Sequence, residues 1–336
     1  MKLSSFDFDL PPERIAQAPV SPRDSSRLLV VRRADGTLED RTFRDLPGLL
    51  QAGDLLALND SRVVPARIYG RRATGGRVEL LFVGREPGGA RQALVRTNGS
   101  LRPGERLELE GSVAVTLLER PHQDAVWRVQ PDGDLDGALE RAGHTPLPPY
   151  IQRADTEEDR ERYQAVYARE PGSAAAPTAG LHFTERLLAE LEAAGIGRAA
   201  LTLHVGYGTF QPVQTERVEE HRMHAESFEV SEAAAAAIRE RKGKLVAVGT
   251  TSARVLESLA AGGGMRAARG RTDLYLYPGR PFHAVEALLT NFHLPRSSLF
   301  LLVCAFAGRE RMLEAYRHAI DAQYRFYSYG DAMLIL

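Results

Sequence analysis

Histidines stand beside glycines and hydroxyl-bearing residues in the second half of the chain. Five of the nine histidines occupy polar positions near glycines: His182, His204, His221, His224 and His293. Histidine is the side chain best suited to exchange a proton near neutral pH. A hydrogen-bonded structural role is the commoner explanation for any single histidine, so the indication of acid–base chemistry comes from the cluster.

Metal binding is an alternative for two of these histidines. His221 and His224 have i,i+3 spacing and can share one face of a helix, with Glu226 nearby. A zinc site needs a further ligand, and no other residue completes a known ligand spacing. We therefore expect no metal site.

Three glycine-containing segments can bring backbone close to a ligand. Segment 172–184 is a run of small side chains that ends in Leu-His-Phe-Thr, and segment 204–210 alternates glycines with an aromatic and a hydroxyl residue. Segment 248–254 reads as a strand-to-helix turn, where Thr250 and Thr251 can hold ribose hydroxyls or a carboxylate. A flexible linker, a bulge and an ordinary helix cap are the respective alternatives.

Composition and missing motifs exclude several classes of protein. The 336 residues include one cysteine, Cys304, so an intramolecular disulfide and a cysteine-rich zinc site are excluded. GxGxxG after a strand, GxxxxGK[ST], GxSxG and HExxH are absent, which argues against dinucleotide-dependent oxidoreductases, P-loop NTPases and serine α/β-hydrolases. The longest apolar run, 299–307, is too short to span a bilayer and predicts a buried strand, so we expect a cytoplasmic protein.

The net charge of −1 confines any nucleic-acid surface to a local patch. Arginines cluster at Arg62, Arg67, Arg71, Arg72 and Arg77, and again at 266–271. Such clusters can bind phosphates, although a solvated protein face is the more usual explanation.

The elements that would position these residues fall into two groups. Short alternating strands separated by Gly/Pro/Asp turns between 66 and 142 predict a small antiparallel barrel or sandwich. After the stiff segment 146–150, helices and strands alternate, which predicts an α/β domain. We expect a discontinuous α/β domain, residues 1–65 plus 146–336, with an all-β, barrel-like domain at 66–145 inserted into it.

Long phrases along the whole chain resemble one family. They include NDSRV at 59–63, PLPPYI at 146–151, APTAGLHFT at 176–184, TLHVGYGTFQPV at 202–213, VGTTS at 248–252, TNFHLP at 290–295 and YSYGDAMLI at 327–335. In these phrases the chain resembles the S-adenosylmethionine:tRNA ribosyltransferase-isomerases of queuosine biosynthesis.

The resemblance implies an unusual use of S-adenosylmethionine. Its ribosyl portion would be transferred and isomerised onto 7-aminomethyl-7-deazaguanine at the wobble position of tRNA, giving epoxyqueuosine, adenine and methionine. The sulfonium compound would be consumed as a substrate, so no cofactor is expected, and the protein is expected to be a monomer. An S-adenosylmethionine-dependent RNA methyltransferase and a non-catalytic RNA-binding module are the competing interpretations.

Motif positions then suggest individual roles. We expect His182 and His204 to act as the catalytic acid and base, with His224 and His293 as alternative candidates. We expect the S-adenosylmethionine site to contain Thr178, Gly180, Gly206, Tyr207, Gly208, Phe210, Thr250, Thr251 and Arg254. The aromatic pair would stack on adenine or face the sulfonium, and the arginine would hold the carboxylate. The tRNA base is assigned to Asn291, Tyr329 and Asp331, and the phosphates to Arg62, Arg67, Arg71 and Arg72.

Overall fold

The structure is a computed structural model that describes residues 1–120, 126–206 and 213–336. Tyr207, Gly208 and Phe210 lie outside the described residues. The strands are β1 (Arg27–Val31), β2 (Leu38–Thr42), β3 (Leu55–Asn59), β4 (Ser61–Val63), β5 (Arg67–Arg72), β6 (Arg77–Arg85), β7 (Arg91–Thr97), β8 (Arg106–Leu109), β9 (Val113–Glu119), β10 (Val126–Asp132), β11 (Glu170–Ser173), β12 (Gly197–Leu203), β13 (Glu226–Val230), β14 (Leu245–Val248), β15 (Ala268–Thr272), β16 (Ala287–Asn291) and β17 (Ala332–Ile335). The helices are α1 (Leu135–Ala142), α2 (Glu157–Arg162), α3 (Glu185–Ala193), α4 (Glu232–Glu240), α5 (Gly249–Ala261), α6 (Ser298–Ala307) and α7 (Arg309–Asp321).

A nine-stranded mixed sheet forms the larger part of the molecule, in the order β15-β13-β12-β3-β14-β16-β17-β1-β2. The four strands β12, β3, β14 and β16 run parallel to their neighbours in this set. Strand β14 is buried along its whole length, as expected for a parallel strand covered on both faces.

Side-chain alternation divides the core of this sheet into two layers. Leu245 and Ala247 pack in one hydrophobic cluster, whereas Val246 and Val248 pack in the other. Helices α4 to α7 contribute side chains to the first cluster, and α3 contributes to the second. The mixed α/β class is confirmed, with helices on both faces of the sheet.

The expectation of a strand within 299–307 is wrong, because this run forms α6 (Ser298–Ala307). The Ser297 side chain accepts a hydrogen bond from the Phe300 N–H at 3.1 Å and caps the helix. The helix is buried on nearly every side, so its sequence is uniformly apolar and carries no helical period. Periodicity cannot separate such a helix from a buried strand.

Strands β5 to β10 close into an antiparallel barrel in the order β10-β7-β6-β5-β8-β9. Val78, Leu80 and Phe82 alternate inward along β6 and share a separate hydrophobic core with Trp127. A Cβ at Gly70 would lie 2.3 Å from the Glu108 carbonyl oxygen, so only glycine allows this approach of strands β5 and β8.

The chain enters and leaves the barrel side by side. The Arg67 and His144 backbones exchange hydrogen bonds of 3.4 and 2.7 Å. Before the barrel, β4 pairs in parallel with β11, which ties the entry to the segment ahead of the Thr178–His182 turn. No helix of the described residues is long and apolar enough to cross a membrane.

Candidate functional site

A central cavity of about 390 Å³ lies at the carboxyl ends of the parallel strands β14 and β16. In α/β sheets this edge is the usual position of ligand sites. Hydroxyl groups dominate its polar lining: Thr178, Thr250, Thr251, Thr290, Ser297 and Ser328. No Asp, Glu, Lys or Arg of the described chain lines it, so an ionic ligand would meet only dipoles and aromatic faces.

The turn from β14 into α5 aims a helix N-terminus at this cavity. Gly249 has a φ of +88°, a conformation that favours glycine, and the helix begins there. Thr250 and Thr251 follow in the first turn, whose N–H groups lack partners within the helix. The Thr251 hydroxyl is buried and has no hydrogen-bond partner among the described residues. This end of α5 therefore offers unpaired donors to a ligand.

Two tyrosines form an aromatic wall of the cavity. The rings of Tyr150 and Tyr327 lie 4.1 Å apart, and the Tyr150 hydroxyl lies 2.5 Å from Ser328 Oγ. Tyr327 has a φ of +73°, which is uncommon for a bulky residue and is concentrated at functional sites. Its hydroxyl is buried without a partner in the described chain. The wall can hold a cation or a planar ring.

His293 is the one imidazole of the described residues that lines the central cavity. Its Nε2 lies 2.9 Å from Thr290 Oγ1, and its backbone N–H donates to the Tyr316 hydroxyl at 3.0 Å. Burial lowers the pKa of His293 to about 3, so the ring is neutral at physiological pH. A neutral imidazole here offers a nitrogen lone pair, although the burial that keeps it neutral also disfavours its protonated form.

His182 lies behind the cavity wall. Its Nδ1 is 2.7 Å from Ser26 Oγ, its Nε2 is 3.1 Å from Asn291 Nδ2, and its ring stacks on Phe43 at 4.9 Å. Burial, with smaller effects of nearby arginines, lowers the pKa of His182 to about 3. Asn291 itself lines the cavity, so His182 contacts the site through that amide.

His204 faces a second cavity, of about 610 Å³, between the barrel and the large sheet. Phe82 and Arg91 contribute to it from the barrel, and Val205 lines both cavities. Burial lowers the pKa of His204, and its Nδ1 has no partner among the described residues. His204 and His293 thus lie in different cavities, and His224 is exposed to solvent.

Arg254 does not line the central cavity, although we expected it to hold a ligand carboxylate. The side chain is buried and forms an ion pair with Glu226. It also donates to the carbonyls of Leu274 at 3.0 Å and Thr272 at 3.4 Å. Glu226 in turn accepts from the Gly206 N–H at 2.8 Å, so Gly206 belongs to this network and to the second cavity.

Three further expected ligand residues are engaged in structural contacts. A Cβ at Gly180 would lie 2.3 Å from the Tyr167 hydroxyl, so packing accounts for that glycine. Tyr329 donates to Asp159 at 2.7 Å. Asp331 accepts hydrogen bonds from two backbone N–H groups, at 2.8 and 2.9 Å. None of the three lines the central cavity.

The expected phosphate-binding arginines divide into paired and exposed residues. Arg67 pairs with Glu79 at 3.2 Å, and Arg72 forms a two-pronged pair with Glu105. Arg62 and Arg71 are exposed. Among the described residues no carboxylate pairs with either of the exposed two, so both are available to a polyanion.

Within the described residues, no three His, Cys, Asp or Glu side chains are grouped so that they could hold a metal ion. The His221 ring packs edge-on against Tyr275 at 5.2 Å.

Several lining residues were missed at the sequence level. Tyr150, Thr290, Ser297, Tyr327 and Ser328 line the central cavity. Tyr150 ends the stiff 146–150 segment, and Tyr327 and Ser328 begin the phrase YSYGDAMLI. The aromatic-hydroxyl pairs in both phrases were a usable signal, but nothing local indicated that the two segments meet.

A cavity at the carboxyl edge of a mixed sheet, lined by hydroxyls, aromatic rings and a neutral imidazole, is typical of an α/β enzyme. Residues 3–335 match the model of the family described as queuosine biosynthesis protein, and the chain belongs to that family. Two relatives are called S-adenosylmethionine:tRNA ribosyltransferase-isomerase. The one from Anaeromyxobacter sp. (strain Fw109-5) is 54% identical, covering 100% of this chain and 99% of that protein. The one from Acidithiobacillus ferrooxidans is 52% identical, covering 100% and 98%.

A solved structure is also similar to this fold. The crystal structure of S-adenosylmethionine tRNA ribosyltransferase from Thermotoga maritima matches with a TM-score of 0.58 and 37% identity. The match covers 99% of this chain and 100% of that one.

Proposed function

We propose that this enzyme transfers and isomerises the ribosyl portion of S-adenosylmethionine onto 7-aminomethyl-7-deazaguanine at the wobble position of tRNA. The products are epoxyqueuosine in the tRNA, adenine and methionine. The observation that carries this proposal is the full-length similarity, at 50–54% identity, to proteins named for this activity. S-adenosylmethionine is a substrate in this reaction and not a cofactor.

The central cavity is the proposed site of S-adenosylmethionine. The rings of Tyr150 and Tyr327 would face the sulfonium, an attraction worth about 0.5–2 kcal/mol depending on desolvation. Thr178, Thr250 and Thr251 would bind the ribose hydroxyls or the methionine carboxylate, assisted by the N-terminus of α5. No charged side chain of the described residues lines the cavity, so the charges of S-adenosylmethionine would be stabilised there by aromatic faces, hydroxyl groups and the N-terminus of α5.

His293 is the proposed proton acceptor, in preference to His182 and His204. The sulfonium acidifies the adjacent 5′ carbon, and a base removes that proton. Adenine leaves with the electrons of its bond to C1′ and takes up a proton, while the neutral amine bonds to C1′ and gives up a proton. The electron pair on C5′ closes the carbocycle on C1′ as O4′ leaves that carbon. O4′ then displaces methionine from C5′ as a neutral thioether and so forms the epoxide. His293 is preferred on position, because it is the one imidazole of the described residues that lines the central cavity. Burial, which lowers its pKa to about 3, keeps the ring unprotonated but also makes it a weak base.

The tRNA would approach between the barrel and the large sheet. We propose that residues 66–145 form an inserted domain, supported by their closed barrel and separate core. The splayed wobble base would enter from the second cavity, which shares Val205 with the central one. The exposed Arg62 and Arg71 would contact flanking phosphates.

The test mixes the protein with S-adenosylmethionine and an anticodon stem-loop that carries the aminomethyl base, and follows free adenine chromatographically. A methyltransferase would instead release S-adenosylhomocysteine, and an RNA-binding module would release nothing. We expect His293→Gln to lower the rate about 10²- to 10⁴-fold, the usual contribution of a proton-transfer group. His283→Gln, at an exposed histidine away from both cavities, is the matched control and should retain full activity.

A further inference from the structure

The orientation of the Asn291 side-chain amide is determined by its surroundings. Its Nδ2 lies 3.0 Å from the carbonyl oxygen of Tyr327 and 3.1 Å from Nε2 of His182. A carbonyl oxygen can only accept a hydrogen bond, so the amide must present its NH₂ group on this side. A flipped amide would set two oxygens against each other.

This orientation fixes the tautomer of His182. Both Nδ2 protons are donated, one to the Tyr327 carbonyl and one to Nε2 of His182, so Nε2 is the unprotonated nitrogen. The proton then resides on Nδ1, which donates to Ser26 Oγ at 2.7 Å. Burial beside the cationic Arg325 and Arg23 keeps the ring neutral, and stacking on Phe43 holds its plane.

The remaining atom of the amide, Asn291 Oδ1, has no partner among the described residues. Asn291 is 2% exposed and lines the central cavity. A buried acceptor without a donor is unfavourable, so native structures retain one where a ligand supplies the donor.

We propose that the chain Ser26–His182–Asn291 positions Asn291 Oδ1 to accept a hydrogen bond from a substrate N–H or O–H in the central cavity. His182 is then a positioning residue that acts through the amide and does not exchange a proton with substrate. The inference rests on the proposed function for the identity of the substrates. The donor is a ribose hydroxyl of the sulfonium nucleoside or the amine of the tRNA base.

Two substitutions of His182 separate positioning from proton exchange. Glutamine can place an acceptor oxygen near the Nε2 position but cannot exchange protons at neutral pH, whereas leucine supplies no acceptor. We expect His182→Leu to lower kcat/KM about 10- to 100-fold, the effect of one misplaced buried hydrogen bond. His182→Gln should stay within about threefold of the wild type with an unchanged pH profile. If His182→Leu and His182→Gln both fold and both lose kcat/KM severely and to the same extent, the inference is overturned.

A spectroscopic measurement tests the tautomer without any turnover. Long-range ¹H–¹⁵N spectra of the full labelled chain, with His182→Gln identifying the missing signals, should show a proton on Nδ1 and a bare Nε2. The signals should not titrate between pH 8 and 5. A proton on Nε2, or titration within this range, would refute the proposed hydrogen-bond chain Ser26–His182–Asn291. If the wild type releases no adenine, the proposed function fails, but this measurement still shows whether the hydrogen-bond chain Ser26–His182–Asn291 exists.

The source of the donor is resolved by Asn291→Leu. If a hydroxyl of the nucleoside is the donor, Asn291→Leu should raise the Kd for S-adenosylmethionine alone about 10- to 100-fold, measured by calorimetry. The amine of the tRNA base as donor predicts an unchanged Kd and a loss confined to the reaction with the stem-loop. Unchanged binding together with unchanged turnover would contradict the proposal.

Discussion

The buried ion pair of Arg254 and Glu226 allows a structural role to be separated from ligand binding. Arg254→Met removes the cation that pairs with the Glu226 carboxylate, which is 6% exposed. Breaking such a pair from one side costs about 3–5 kcal/mol. The carbonyls of Thr272 and Leu274 also lose their donor, so we expect the upper part of that range.

Urea unfolding followed by circular dichroism measures this loss directly. A loss of about 4–5 kcal/mol shifts the midpoint by about 1.3–1.7 M when the slope is about 3 kcal/mol per M. The double variant Arg254→Met/Glu226→Gln should recover at least half of the loss, because both charges of the pair are then removed. The amide oxygen that the second substitution introduces can still accept from the Gly206 N–H, which keeps the comparison matched.

The same variants decide whether Arg254 holds a ligand carboxylate. Because Arg254 does not line the central cavity, folded Arg254→Met should bind S-adenosylmethionine within about threefold of the wild type. An unchanged unfolding midpoint together with about 100-fold weaker binding, the loss of a charge-assisted contact, would refute this reasoning.

Two further predictions concern pH and salt. The pKa values of His182 and His293 are about 3 in the folded protein and 6.5 when unfolded, so the unfolded chain binds more protons between these limits. The free energy of unfolding therefore falls as pH drops below 6.5, and the fall approaches about 1.4 kcal/mol per pH unit for each histidine. His182→Gln should reduce the slope of unfolding free energy against pH by the contribution of one proton. Arg71→Ala should weaken stem-loop binding and reduce the slope of log K against log salt by about 1. Equal salt slopes for Arg71→Ala and the wild type would count against the phosphate contact. Arg72→Ala should instead lower the melting temperature, because it breaks the ion pair with Glu105.

The fold class was predictable because local patterns and tertiary packing agree over most of the chain. The strand-to-helix turn expected at 248–254 occurs where the sequence indicates it, with β14 followed directly by α5. The failure at 299–307 has a physical cause: α6 is enclosed by the core, so it has no polar face to reveal its period.

The candidate site was predictable only at the level of segments. Thr178, Thr250, Thr251, Asn291 and His293 come from three separate phrases and line one cavity. Tyr329 and Asp331 lie close in sequence to the lining residues Tyr327 and Ser328, yet their side chains are used in structural hydrogen bonds. Neighbouring positions in a turn point in different directions, and motif membership does not resolve them.

The amino-acid sequence alone determined which segments allow close backbone approach, where hydroxyls follow a strand, and that formal charge is nearly balanced, because these properties are local or additive. Tertiary structure alone decided which imidazole meets the cavity. His182 obtains its partners from Ser26 and Asn291, which are 156 and 109 residues away along the chain. Burial and long-range hydrogen bonds set the tautomer and the pKa of such a ring. This burial and these hydrogen bonds arise only when segments distant in sequence have packed together.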